Sequence, residues 1–193
     1  GYGGNDTYIV DSAADQIVET TGAGTDRVQT SVSYTLGAGD SIEALETTSA
    51  AGATALGLYG NEIAQTITGN AGLNIIDGKL GIDTLTGGAG NDYFVFSTAL
   101  SGNRDQINDF NSAADTIRLD QTIFTKLTVV GALNAAYFKA GAPADANDYI
   151  LYNSSTGMLS YDVDGNGAQA AVQFAYLNNK PATLTAADFY VLA

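Results

Sequence analysis

The amino-acid sequence predicts an all-β protein: a right-handed parallel β-roll or β-helix over residues 1–110, followed by a β-rich C-terminal cap over 111–193. Two observations carry this. Four consecutive nine-residue units run from Gly60 to Val95 as GNEIAQTIT, GNAGLNIID, GKLGIDTLT and GGAGNDYFV. The last follows G-G-x-G-x-D-x-U-x throughout, with U a large apolar residue. Beyond them the Gly and Asp repeats give way to alternating runs such as DYILYNSSTGMLSYDVD, which read as strands.

Each unit has two halves. A Gly-rich hexad with an acidic end makes a tight half-turn that exposes backbone carbonyls, and the x-U-x remainder makes a short strand. With U pointing inward, Ile67, Ile76, Leu85 and Phe94 form paired apolar columns inside a flattened coil, two units per turn, with strands roughly 4.8 Å apart. No unit buries its U residue alone, so stacking makes the core. Gly69, Gly72, Gly78, Gly81, Gly87, Gly88 and Gly90 stand where a turn needs positive φ or close backbone approach. Position six carries Asn74, Asp83 and Asp92 in successive units. Carboxylates and exposed carbonyls together suit Ca²⁺, a hard cation that takes about six to eight oxygen ligands.

The N-terminal stretch carries the unit in looser form, as GYGGNDTYI (1–9), a longer unit ending at Ile17, and TGAGTDRVQ (21–29). Asp6, Asp15 and Asp26 take the acidic position, and Tyr8, Ile17 and Val28 take U. Between residues 31 and 59 the acidic position fades, while SVSYTL, SIEALETT and ATALGLY stay β-rich, so one continuous solenoid is expected to about residue 95. In STALSGNRDQINDFNSAADTIRLD, Asp105 with Ile107 and Asp109 with Phe110 keep an acid just before an apolar anchor; this segment is expected to cap the open end of the stack. A hairpin is expected around residues 154–157, strands at AAVQFAYL and ADFYVLA, and short helical or turn segments at QTIFTKL and LNAAYF.

With 21 acidic and 7 basic residues, a formal net charge of −14, the chain lacks the basic face that nucleic acid or an anionic membrane requires. Cations are the natural counterpart. Cysteine and histidine are both absent, which removes disulfides, thiolate metal sites, a histidine-ligated zinc centre and Ser-His or Cys-His pairs. The clustered acids already have a role in the repeat, so no catalysis is expected within the chain, although a parent protein could carry a catalytic domain upstream. No stretch is long or apolar enough to span a membrane and no signal peptide precedes the first motif. The opening inside a repeat reads as a C-terminal piece of something longer.

On these residues the chain resembles the RTX calcium-binding C-terminal domains of bacterial proteins exported by type I secretion. DQINDFNSAADTIRLD looks like the segment that follows the β-roll in serralysin-type proteases, with Asp105, Asp109, Phe110, Asp115 and Ile117 in corresponding places. ADFYVLA resembles the family's uncleaved C-terminal export signal. The resemblance implies several Ca²⁺ ions held between stacked turns, each shared by units two apart. Gly69–Asn74 would pair with Gly87–Asp92, Gly78–Asp83 with the loop ending at Asp105, and Asp6 with Asp26, while Asp109 is a further candidate ligand. Gln65 and Asn74 offer neutral oxygens, which implies weaker or missing sites there.

The implied function is a secreted, extracellular domain that folds on Ca²⁺ after passing through type I secretion machinery. The alternative is an adhesion or polysaccharide-binding module that contacts a glycan or surface layer and uses calcium structurally. Tyr93, Tyr149, Tyr152 and Tyr161 lie in strand-like runs, where packing explains them better than a sugar platform. The DVDGNG loop places Asp162, Asp164, Asn166 and Gly167 as in the first half of an EF-hand loop. Its twelfth position is Gln173 rather than a bidentate Glu, so it reads as an acidic hairpin turn. Asp115, Asp145 and Asp148 read as solvated turn residues.

Overall fold

A computed structural model describes residues 3–19 and 24–193; the openings of GYGGNDTYI and TGAGTDRVQ lie outside these. After β1 (Thr7–Val10), strands come in pairs, one to each of two sheets: β2 (Arg27–Thr30) with β3 (Tyr34–Thr35), and β4 (Ala44–Thr47) with β5 (Leu56–Tyr59). There follow β6 (Thr66–Thr68) with β7 (Asn74–Asp77), β8 (Thr84–Thr86) with β9 (Tyr93–Phe96), and β10 (Asp105–Ile107) with β11 (Thr116–Asp120). Even-numbered strands stack with β1 in one sheet and odd-numbered ones in the other, all parallel, giving a solenoid of about five turns.

The register shows why so few residues per strand suffice. Ile67 pairs with Leu85, and Ile76 with Phe94; all four are fully buried, while their flanking threonines in β6 and β8 face outward. This is the period-two alternation of a sheet with one face in the core. Val28, Leu45, Leu58, Ile107 and Ile117 continue the columns above and below. The coils between residues 31 and 59 belong to the same stack, as expected.

The segment expected to cap the stack instead forms its fifth turn. Ile107, Ile117 and Leu119 are fully buried, so the end they build needs a cover of its own. Strands distant in sequence supply it. β12 (Gly131–Ala132), β13 (Phe138–Ala140), β14 (Ile150–Asn153) and β15 (Met158–Tyr161) lead to β16 (Val172–Leu177), which pairs parallel to β10, and β17 (Phe189–Leu192), which pairs parallel to β11. β14 and β15 form the expected hairpin, and β15 runs antiparallel to β16. QTIFTKL is a turn, and LNAAYF contains a single turn of 3-10 helix, Ala135–Tyr137. Under the cap, Phe174 packs edge-on against Phe96 at 5.0 Å and Phe124 at 5.2 Å, and Phe124 meets Tyr161 at 5.1 Å.

Candidate calcium sites

In a flattened coil the residue that ends each hexad also begins the next strand, so its backbone N–H points at the coil stacked above. The side chain at the same position one turn on reaches back to meet it. In the first column Asp6 N donates to Asp26 Oδ1 (2.7 Å), Asp26 N to Glu43 Oε2 (2.7 Å), Gln65 N to Asp83 Oδ1 (2.7 Å) and Asp83 N to Asp105 Oδ1 (3.0 Å). In the second, Asn74 N donates to Asp92 Oδ1 (2.8 Å) and Asp92 N to Asp115 Oδ1 (2.9 Å). The stacked pairs inferred from the repeat, 74 with 92, 83 with 105 and 6 with 26, are thus neighbours in space.

This ladder uses one oxygen of each carboxylate and leaves the other. Asp83 and Asp92 are fully buried, and their Oδ2 atoms have no hydrogen-bond partner. A buried carboxylate with an unsatisfied oxygen costs several kcal/mol unless a proton or cation meets it. Each orphan oxygen lies against the first glycine of its own hexad: a Cβ on Gly78 would land on Asp83 Oδ2, and one on Gly87 on Asp92 Oδ2. The hexad is a cradle only because those positions lack side chains.

The charge state follows the same geometry. Burial pushes the Asp83 carboxyl up to about 8, that of Asp105 to about 7 and that of Asp92 to about 6. Backbone hydrogen bonds pull each downward, whereas Asp77 and Asp105 near Asp83, and Asp115 and Asp109 near Asp92, push upward. Anionic, oxygen-only turns with one unmet oxygen each fit Ca²⁺, whose binding would displace the proton.

The neutral turns differ in kind. Asn74 Oδ1 accepts from Asn70 N (2.7 Å), and its amide nitrogen donates to Asn70 Oδ1 (3.2 Å). Gln65 makes the same pair of bonds with Asn61. These hexads close on themselves through amides, without an orphan oxygen.

Several acids sit differently from the sequence expectation. Asp115 is buried, 7% exposed, and accepts from both Asp92 N and Asn111 N, so it belongs to the second column rather than to a solvated turn. Asp148 is buried as well, closing its turn through Ala144 N and Asp145 N. Asp109 spends its two oxygens on Gly87 N (3.0 Å) and Gly88 N (2.8 Å), clamping the GGAGND loop. Asp15 is exposed and closes its own turn instead of joining a column. Glu43, where the acidic position was thought to fade, fills it with a longer arm. The signal was an acid two residues before a buried apolar side chain: Glu43 before Leu45 and Asp115 before Ile117, just as Asp83 precedes Leu85.

In the DVDGNG loop, Asp162 Oδ1 accepts from Asp164 N (3.2 Å) and Asp164 Oδ2 from Gln169 N (3.1 Å). Gln173 Oε1 accepts from Arg104 (3.0 Å), and Asp164 Oδ1 is buried without a hydrogen-bond partner. Of the four tyrosines, Tyr152 and Tyr161 are core residues, Tyr149 packs on Tyr137, and the Tyr93 ring carries the Arg118 guanidinium at 3.4 Å.

Residues 59–97 match the family model of the RTX calcium-binding nonapeptide repeat, in four copies. The parallel solenoid built on those copies fits an RTX calcium-binding domain, a structural fold whose nonapeptide repeats bind calcium ions. Such repeats are typical of secreted bacterial proteins. No curated protein matches the chain at a significant level. Among the described residues, no helix is long and apolar enough to cross a membrane.

Proposed function

We propose that the domain is a calcium-driven folding switch whose ions sit between the Gly78–Asp83 turn and Asp105, and between the Gly69–Asn74 and Gly87–Asp92 turns. The observation that carries this reading is the pair of buried, unpartnered Oδ2 atoms on Asp83 and Asp92. Where Ca²⁺ is scarce, the stacked carboxylates repel and the Gly-rich turns lose too much entropy on ordering, so the chain stays unfolded and export-competent. Outside the cell, Ca²⁺ binds only the stacked form. Each site then adds about 2.7 kcal/mol when free ion is 100 times Kd.

The C-terminal tail supports the order of events. The segment resembling an export signal forms β17, paired with β11 and β12, with Phe189 and Val191 buried. Secretion machinery that reads this tail must do so before the domain folds. The test is secretion and folding of an Asp83→Asn/Asp92→Asn variant: export should persist, while the secreted chain should need far more Ca²⁺ to become protease-resistant. Equal resistance at the same Ca²⁺ would refute the assignment.

A further inference from the structure

One acidic loop lies outside the stacked turns. DVDGNG (162–167) links β15 to β16 in the cover over the last coil. Its first acid, Asp162, is 3% exposed, and its N–H donates to the Tyr149 carbonyl (2.8 Å). The rest of the loop is pressed against the turn at 144–148, where Asn166 N donates to the Asp145 carbonyl (3.0 Å) and Asn166 Nδ2 to the Ala144 carbonyl (3.2 Å). Gly165 permits this approach: at φ +63° it stands where a Cβ would strike the Asp145 carbonyl oxygen at 2.5 Å. The loop is therefore a fixed part of the cover.

Two carboxylates meet in this loop. Asp162 Oδ1 accepts from Asp164 N (3.2 Å) and Asp164 Oδ2 from Gln169 N (3.1 Å), which leaves Asp164 Oδ1 buried without a partner. Burial pushes the Asp162 carboxyl up, and the adjoining Asp164 carboxylate pushes it further. Among the described residues the ion pairs are Arg27 with Glu46 and Lys79 with Asp77, so neither acid of the loop has a lysine or arginine to meet it. The backbone repeats a feature of the buried repeat acids. A Cβ on Gly167 would fall 2.0 Å from Asp164 Oδ2, as one on Gly78 would fall 2.1 Å from Asp83 Oδ2 and one on Gly87 2.4 Å from Asp92 Oδ2. A buried carboxylate oxygen in such a cradle is costly until a proton or cation reaches it.

We propose that Asp162 and Asp164, with Asn166 at the next alternate position, hold a hard divalent cation, Ca²⁺ in an extracellular setting, in the C-terminal cover and apart from every stacked turn. Sequence alone reads the loop as an acidic turn, and the buried Oδ1 is the observation that revises it. An all-oxygen set with two carboxylates favours Ca²⁺ over softer metals. The bidentate glutamate that closes an EF-hand loop is missing, since Gln173 stands at that position and accepts from Arg104 (3.0 Å). Fewer charged ligands mean weaker binding, on the order of 10⁻⁴–10⁻³ M, the range of extracellular calcium modules. The ion would brace the link from β15 to β16. Because β16 stacks on β10, the cover of the last coil would itself respond to calcium.

The test counts ions by equilibrium dialysis of the full chain against millimolar CaCl₂, with circular dichroism to confirm that each variant is folded. Asp164→Asn should bind one ion fewer per chain and keep its Ca²⁺-saturated β signal. The same loss should appear when the exchange is made in the Asp83→Asn/Asp92→Asn variant, at Ca²⁺ concentrations that fold it, because the loop shares no ligand with the repeats. An unchanged count at unchanged affinity in either background would overturn the proposal. The Asp83→Asn/Asp92→Asn variant by itself reports on the repeat sites, so failure of either assignment is visible apart from the other. Should Asp164→Asn not fold, the exposed Asn166 supplies a second variant: Asn166→Ala should weaken one ion severalfold, and a binding isotherm identical to that of the unaltered chain would overturn the proposal.

Discussion

Among the position-six side chains, Asp83 and Asp92 differ from Gln65 and Asn74 in having one oxygen that no hydrogen bond reaches. The difference predicts opposite outcomes for isosteric exchanges. Asp83→Asn should raise the Ca²⁺ concentration at the folding midpoint by on the order of tenfold, the worth of one charge-assisted contact. Asn74→Asp should lower the midpoint while weakening the calcium-free fold, since it trades the amide pair with Asn70 for a charge; calcium titrations of both variants check this. The raised carboxyls also fix the pH dependence. A folded-state value of about 8 at Asp83 and about 7 at Asp105 lies above the unfolded value near 4, so the calcium-free fold binds more protons than the unfolded chain. Its stability is fullest below pH ~4 and is lost as pH rises through those values. Lowering the pH of chelated protein from 8 to 5 should therefore move it from coil towards β structure, read by far-UV circular dichroism. Sequence made Asp83 and Asp92 legible because the period places them, and Asp105 because it stands two residues before the apolar Ile107; it missed Glu43 and Asp115 because loops of irregular length carry them to the same columns.

Each coil depends on a hexad tight enough to press backbone against carboxylate. Gly78→Ala would push a Cβ into the place of Asp83 Oδ2 and so move the ligand as well as the turn. Calcium affinity should fall along with stability, which a calorimetric titration would separate from a purely structural loss at the solvent-facing Gly102, where a Cβ meets nothing. The strands were legible for a simple reason: Ile67, Ile76, Leu85 and Phe94 recur every nine residues, and an eighteen-residue separation joins equivalent rungs. The fifth turn was mistaken for a cap because its own cover, β16 and β17, returns from more than fifty residues downstream, and no local pattern records that pairing.

At the scale of the molecule, calcium-dependent turns stand on a C-terminal end held by aromatic packing among Phe96, Phe124, Tyr161 and Phe174. β17 is part of that end, so removing Asp188 onward would strip Phe189 and Val191 from the core and bare the edge of β11. A loss of ~3 kcal/mol or more is expected, readable as a lower Ca²⁺-saturated melting temperature; the tail cannot be deleted as an inert signal. With a formal charge of −14, the stack should gain most from divalent ions that enter it. The most direct measurement is far-UV circular dichroism of the full chain through a Ca²⁺ titration starting from chelator. The switch predicts a cooperative coil-to-β transition near millimolar Ca²⁺ that Mg²⁺ does not reproduce. A β spectrum that persists in chelator, in protein shown by metal analysis to hold no calcium, would contradict it.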